Sequence, residues 1–286
     1  MSSISYSGGT IIDTSFTGDT RGAIATGLIN ALVSAGWTSI SGSGTDQVLR
    51  SASTPAGHNI SMRVYDPGTG NCARVAMRNA AGTQVSHDYF LLPGASKTFY
   101  VIACRYNFFI FTPGTSAARE FVCGGTLAVP TFIETYLTVA DLGWIQGKAI
   151  NDTTTTVAGS FRTRLSSNAA HSTGLANATL SNVTNATSPS GMQQLIARMA
   201  ASNNSGFDSG SRWADDTLRV IEAEIAWGTA MGSEGKSYGF IHNCMIVTGT
   251  YAADDRTITS FDGHAWHAIT GSNTADRKGT LFFAIT

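Results

Sequence analysis

Charge is scarce in this chain. Lys and Arg number 18 and Asp and Glu 19 among 286 residues, so charged side chains make up 13% of it, against about 25% in an ordinary soluble domain. A net charge of -1 leaves no basic excess, which argues against nucleic acid as the main partner because phosphate binding draws on clustered Lys and Arg. No stretch reaches the roughly 18 uninterrupted apolar residues of a membrane span, so no membrane partner is expected. Residues 1–16, MSSISYSGGTIIDTSF, lack the basic start and apolar run of a signal peptide, which predicts a protein made in the cytosol.

Several strong local signals of catalysis are missing too. The chain holds no Gly-rich phosphate loop of either common kind and no H-E-x-x-H pair; these gaps do not exclude an enzyme, but the role expected is non-enzymatic and without a cofactor. The four cysteines, Cys72, Cys104, Cys123 and Cys244, show no C-x-x-C spacing and no histidine at a zinc-site interval. Each lies in or beside an apolar run, which predicts buried reduced thiols. A Cys104–Cys123 contact across adjacent strands is the alternative.

Hydrophobic residues at 42% suffice for a packed core. Gly stands at 31 residues, and Ser, Thr and Asn are abundant. Small neutral polar groups cost little to desolvate, so such a surface suits burial against neighbours in a permanent assembly. An ordinary β-rich extracellular domain is the simpler reading of the same composition.

Residues 1–20 read as an N-terminal arm ending at Asp19-Thr20, a helix cap. Apolar residues then fall at Ile24, Leu28, Ile29, Leu32 and Val33, followed by Gly36, a left-handed stop. The spacing predicts one amphipathic helix over 21–35. From Trp37 the period changes to two. Ile60, Met62 and Val64 alternate with polar neighbours up to Asp66-Pro67-Gly68, and Ala73, Val75 and Met77 alternate with Arg74 and Arg78, so these two runs predict a hairpin. Further strands are expected at 89–92, 98–104, 108–112 and 119–123, each followed by a turn signal. Phe108-Phe109-Ile110-Phe111 has no polar alternation and predicts a strand buried on both faces, in a core or between subunits.

The fold class expected is mainly β: antiparallel β-sandwich-like lobes with one N-terminal amphipathic helix packed on the first sheet. Residues 21–145 form the helix and first β lobe, 146–217 a loop-rich connector or insert, and 218–286 a C-terminal β lobe. Within the connector, MQQLIARMA has a short helical pattern. Strands are expected at 218–227, 238–248, 257–261, 264–270 and 279–286.

Candidate sites are few. Asp262, His264 and His267 supply metal-ligand chemistry, but on a strand the two rings point to opposite faces, and a strand-edge role is the simpler reading. Glu222 and Glu224 fall on one face of a strand, while Asp215-Asp216 and Asp254-Asp255 lie in turns, so no glycosidase pair is specified by spacing. Trp213, Tyr238, Tyr251 and Trp266 could stack on sugar rings or fill a protein interface.

The helix ending in Ala-Gly-Trp, the hairpin RVYDPGTGNCARVAM, the stretch TFYVIACRYNFFIFTPGTS and REFVCGGTLAVP together resemble the N-terminal region of structural proteins from the virions of tailed bacteriophages. The resemblance covers about residues 20–130 and, more loosely, 218–286. It implies a non-enzymatic virion component of tail, baseplate or neck, located in the virion, whose partners are further copies of itself and other virion proteins. A host-surface glycan or receptor-binding module of the same particle is the alternative, with Trp213, Tyr238, Tyr251 and Trp266 as its contact residues.

Overall fold

The computed structural model describes residues 10–54, 57–78, 82–84, 88–113, 120–128, 143–148, 161–165, 219–227, 236–248, 257–259, 265–270 and 279–284. Along the chain come β1 (Ile12–Thr17), α1 (Arg21–Ser34), β2 (Thr38–Ser43), β3 (Asp46–Arg50), β4 (Ser61–Tyr65), β5 (Ala73–Arg78), β6 (Tyr89–Leu91), β7 (Thr98–Ala103), β8 (Asn107–Phe111) and β9 (Phe121–Ala128). There follow β10 (Gly143–Lys148), β11 (Phe161–Leu165), β12 (Arg219–Trp227), β13 (Lys236–Thr248), β14 (Thr257–Thr259), β15 (Ala265–Thr270) and β16 (Gly279–Ala284). The protein is mainly β, with two antiparallel sheets and one helix among the described residues.

The helix begins and ends where its side chains dictate. Thr20 is extended and its hydroxyl accepts a hydrogen bond from Ala23 N at 3.1 Å, satisfying one of the donors a first turn leaves free. At the other end Gly36 adopts φ +96°, Trp37 N donates to Leu32 O and Gly36 N to Val33 O, both at 3.0 Å. That is the double closure of a Schellman end, which needs a left-handed residue at Gly36. Ile24, Leu28, Ile29 and Leu32 are buried as their spacing predicts, whereas Val33 is 48% exposed and lies off the packed stripe.

β2 to β6 form a five-stranded sheet in sequence order. The predicted hairpin is β4 with β5, in register from Ser61↔Arg78 to Tyr65↔Arg74. The larger sheet runs β1-β7-β8-β9-β13-β16-β15-β14, with β10 and β11 branching from β9 and β12 from β13. One apolar cluster joins the two sheets and the helix: Leu49, Met62, Val64, Val75, Met77 and Leu91 from the small sheet meet Phe99, Val101, Phe108, Ile110, Val122 and Ile145 from the large one, with Ile24, Leu28 and Leu32 between. The helix touches β1 and β7 on one side and β3, β4 and β5 on the other, while β6 packs against β9 and β10. The sheets therefore meet directly at β6, and the helix fills the gap between them toward β1 and β3. It packs on both sheets, where the sequence suggested one. Gly27 permits the approach of β1, because a Cβ there would sit 2.6 Å from the ring of Phe16.

All five residues of β8 are buried. Phe108 and Ile110 enter the shared core. On the other face Phe109 lies 6.0 Å from the Trp144 ring and Phe111 stacks with Tyr100 at 5.7 Å. The strand is thus buried on both faces inside its own chain.

Other boundaries differ from expectation. The N-terminal arm contains β1, paired with β7 along all six residues from Ile12↔Ala103 to Thr17↔Thr98. The stretch read as a loop-rich connector begins with the last three residues of β10 and contains β11, paired with β10; its other residues, with the helical pattern at 192–200, lie outside the described residues. The C-terminal strands join the large sheet through Phe240↔Ala128 and Ile241↔Leu127.

Two substitutions check this frame. Phe108→Ala should lower unfolding stability by about 3–5 kcal/mol, and Thr20→Ala by about 1 kcal/mol, measured as shifts in urea midpoint at constant slope.

Candidate interaction surface

Charge is sparse overall, yet 14 arginines make up most of the 18 cationic residues, and four of them stand on one face of the five-stranded sheet. Met62, Val64, Val75, Met77 and Leu49 point into the core, so alternation turns Arg50, Arg63, Arg74 and Arg78 to the opposite face. Cross-strand register arranges that face in rows: Asp46, Tyr65, Arg74 and Phe90; then Val48, Arg63 and Ala76; then Arg50, Ser61 and Arg78.

Two of the arginines meet carboxylates of the chain. Arg63 holds Asp46 by a two-pronged pair, Nε to Oδ1 at 2.8 Å and Nη2 to Oδ2 at 2.7 Å, the planar match guanidinium makes with carboxylate. That hydrogen bonding holds the Asp46 carboxyl below its ordinary range, against the opposing effect of burial. Because the pair is open to water, its contribution to stability is about 1 kcal/mol or less. The Arg63 guanidinium also lies 3.9 Å from the centroid of the Tyr65 ring. Asp88 gathers a second group: Oδ2 accepts from Tyr65 OH at 2.8 Å and Arg74 Nη1 at 3.1 Å, and Oδ1 from Gln84 Nε2 at 3.0 Å. Burial and then this contact push the Tyr65 phenol up to about 12, so Tyr65 remains a neutral donor at all working pH values.

A second feature is the free edge of the same sheet. All six residues of β2, TSISGS, are exposed and none is charged. Ile40 is 41% exposed and sits at a register irregularity between Ser39 and Ser41. Unpaired backbone groups on such a strand are open to pairing with another chain.

A third is the junction where β13 enters the N-terminal core. Register between β12 and β13 breaks between Glu222 and Glu224, whose partners are Met245 and Phe240, and the intervening bulge contains Asn243 at φ +56°. Ile241, Asn243 and Cys244 are buried there. His242 O accepts from Asn107 Nδ2 at 2.7 Å, and the His242 ring stacks on Tyr106 at 4.3 Å. Desolvation lowers the imidazole to about 4, and the nearby Arg105 charge acts in the same direction while a backbone hydrogen bond at Leu127 opposes it.

The sequence-predicted residues fare unevenly. Cys104 and Cys123 are buried free thiols, as are Cys72 and Cys244. The contact across adjacent strands is corrected by the topology: β8 separates β7 from β9, with Phe109 opposite both Ile102 and Cys123. The Cys104 thiol instead donates to Asn107 Oδ1 at 3.1 Å, and burial pushes its pKa up, which leaves it a poor nucleophile. Tyr238 lies on β13 and Trp266 on β15, with β16 between them. Trp266 pairs with Ala284, and Phe283 with Cys244, so Trp266 stands level with Asn243. That is five residues from Tyr238, about 17 Å along the strand. The register keeps these two aromatics apart. Trp213 and Tyr251 lie outside the described residues, as do Asp215, Asp216, Asp254, Asp255, Asp262 and His264. His267 on β15 faces Thr257 and Phe283 in register. No group of three or more metal-ligating side chains occurs among the described residues.

Sequence reasoning missed the arginine face. Arg63, Arg74 and Arg78 alternate visibly with apolar residues, but the carboxylates that pair with Arg63 and Arg74 come from β3 and from Asp88, and only strand register shows that Arg78 has none among the described residues.

The junction generates a pH prediction. His242 titrates near 6.5 when unfolded and near 4 when folded, so below pH 6.5 the unfolded chain binds a proton the folded one refuses. Stability is therefore full above about pH 6.5 and falls as pH drops toward 4, by up to about 3 kcal/mol. His242→Gln should flatten that part of a urea-midpoint profile; an unchanged slope would place the titrating group elsewhere. No known family matches the chain and no curated protein matches it, so its functional reading rests on its own residues.

Proposed function

We propose that this chain is a non-enzymatic structural subunit of a tailed-phage virion, of tail, baseplate or neck, built into a symmetric oligomer with itself and other virion proteins. The observation that carries the assembly part is β2, a six-residue edge strand with every residue exposed and no charge to repel a partner. Natural monomers guard such edges with Lys, Pro or a covering loop; here the guard is a single bulge at Ile40. The low charge of the whole chain supports the same reading, because a neutral Ser, Thr and Gly surface loses little on burial against a neighbour. The virion assignment is supported by the resemblance of residues 20–130.

The alternative, a glycan-binding module, calls for Trp213, Tyr238, Tyr251 and Trp266 to act together. The separation of Tyr238 from Trp266 by a strand and five register positions weighs against a shared sugar platform for those two.

The test is the solution mass of the purified chain by light scattering over a concentration series, alone and with virion lysate. Ile40→Lys places a charge in the middle of the β2 edge. It should abolish the discrete oligomer while leaving the thermal unfolding of the monomer unchanged. An oligomer that survives Ile40→Lys would exclude β2 as the contact, and a chain that stays monomeric in every condition would count against the structural reading itself.

A further inference from the structure

The rows of the arginine face are unequally neutralised. In the first two rows each guanidinium has a carboxylate of its own, Asp46 for Arg63 and Asp88 for Arg74. The third row, Arg50–Ser61–Arg78, has two guanidiniums and, among the described residues, no carboxylate within ion-pair distance. Arg78 Nη1 donates to Gly82 O at 2.7 Å, a neutral acceptor, and its Nε, like that of Arg74, is buried without a hydrogen-bond partner among the described residues. Arg50 Nε reaches the Ser61 hydroxyl only at 3.4 Å. Asp46, on which Arg78 acts electrostatically, has both of its oxygens already engaged by Arg63.

Register puts Arg50 and Arg78 on either side of Ser61, two strand spacings or about 10 Å apart at the backbone. Two arginine side chains can close that span on a single planar anion. A buried donor without a partner costs free energy that a bound acceptor returns.

The geometry points to the Arg50–Ser61–Arg78 row as a docking site for a carboxylate side chain, Asp or Glu, of a neighbouring protein. The chain's own carboxylates show what this face holds, and how: planar, between guanidinium forks. A protein carboxylate fits the row better than an acidic sugar, because sugar sites present an open aromatic face and no aromatic residue stands in this row. The nearest ring of the face in the neighbouring rows, Tyr65, is covered by Arg63. The inference rests on the assembly reading in one respect, that a neighbouring protein is present to supply the acid.

Titration calorimetry on the full chain tests it, with an oligoglutamate peptide and an oligogalacturonate as probes. Oligoglutamate should bind with an affinity that falls as NaCl rises, and Arg50→Gln with Arg78→Gln should weaken it at least about tenfold. Arg21→Gln, on the helix and paired with Asp66, should leave binding unchanged. Arg50→Gln alone removes only a long hydrogen bond, so its thermal unfolding should match the parent chain and its reduced binding will report the site and not the fold. Binding of oligogalacturonate in place of oligoglutamate would make this a glycan site and overturn the proposal. Binding of neither, or binding indifferent to both substitutions, would overturn it as well. Light scattering on the same samples separates the two readings: a monomer that binds oligoglutamate sinks only the assembly reading. An oligomer that ignores the peptide and survives the double substitution sinks only this site.

Discussion

A strand that is apolar on both faces cannot stand at a surface, and β8 fixes the plan of this protein for that reason. Phe108 and Ile110 require one layer beneath the large sheet, and Phe109 and Phe111 require cover above it. The first is met by α1 and the five-stranded sheet, whose inward residues form one cluster with β7, β8, β9 and β10. On the second face Trp144 and Tyr100 pack against the two phenylalanines. Burial of a Phe is worth roughly 1.5–3 kcal/mol, so three such residues in five positions make this strand a large local source of stability. Neighbouring features follow from it. Trp37 closes the helix and lies edge-on to Phe108 at 6.0 Å, with its indole N–H donating to Cys104 O at 2.8 Å. The β7–β8 turn is thereby tied to the helix end.

That central part was legible because its signals are local. The Thr20 cap, the 3.6-residue spacing from Ile24 to Leu32 and the left-handed Gly36 each act within a few residues, and they bound the helix to within one residue. The β4–β5 hairpin follows from strict alternation on either side of Asp66-Pro67-Gly68, where Gly68 takes φ +70° and its N–H bonds Asp66 Oδ1 at 2.9 Å. β1 and β11 were not legible. β1 has only Ile12 and Phe16 as large apolar residues and is held by its pairing with β7, and FRTRL of β11 reads as polar chain. A strand whose formation depends on a partner far along the sequence leaves little trace in its own composition.

The polar features divide along the same line. Arginines alternating with apolar residues are visible from the sequence, but their neutralisation depends on which strand lies beside which. Register places Arg63 beside Asp46 across β3 and β4 and gives the Arg50–Ser61–Arg78 row no carboxylate among the described residues. The aromatic cluster imagined from composition fails for the converse reason: Tyr238 and Trp266 belong to strands that β16 separates. Cys104 and Cys123 were close in sequence pattern but stand on either side of β8. Among the described residues, a pair of guanidiniums without a carboxylate and an exposed, uncharged edge strand both lie on the five-stranded sheet.

The central claim is that β8 is buried on both faces by its own chain, which leaves the edge and outer face of the smaller sheet for the subunit contacts proposed above. Hydrogen exchange measured by mass spectrometry on the isolated chain, at a concentration where light scattering gives a monomer, tests it most directly. Amides of 107–111 should exchange last, at the rate of global unfolding, and those of β2 among the first. Rapid exchange of 107–111 in the monomer that slows only on assembly would show that partner subunits, and not the fold, bury this strand, and would contradict the claim.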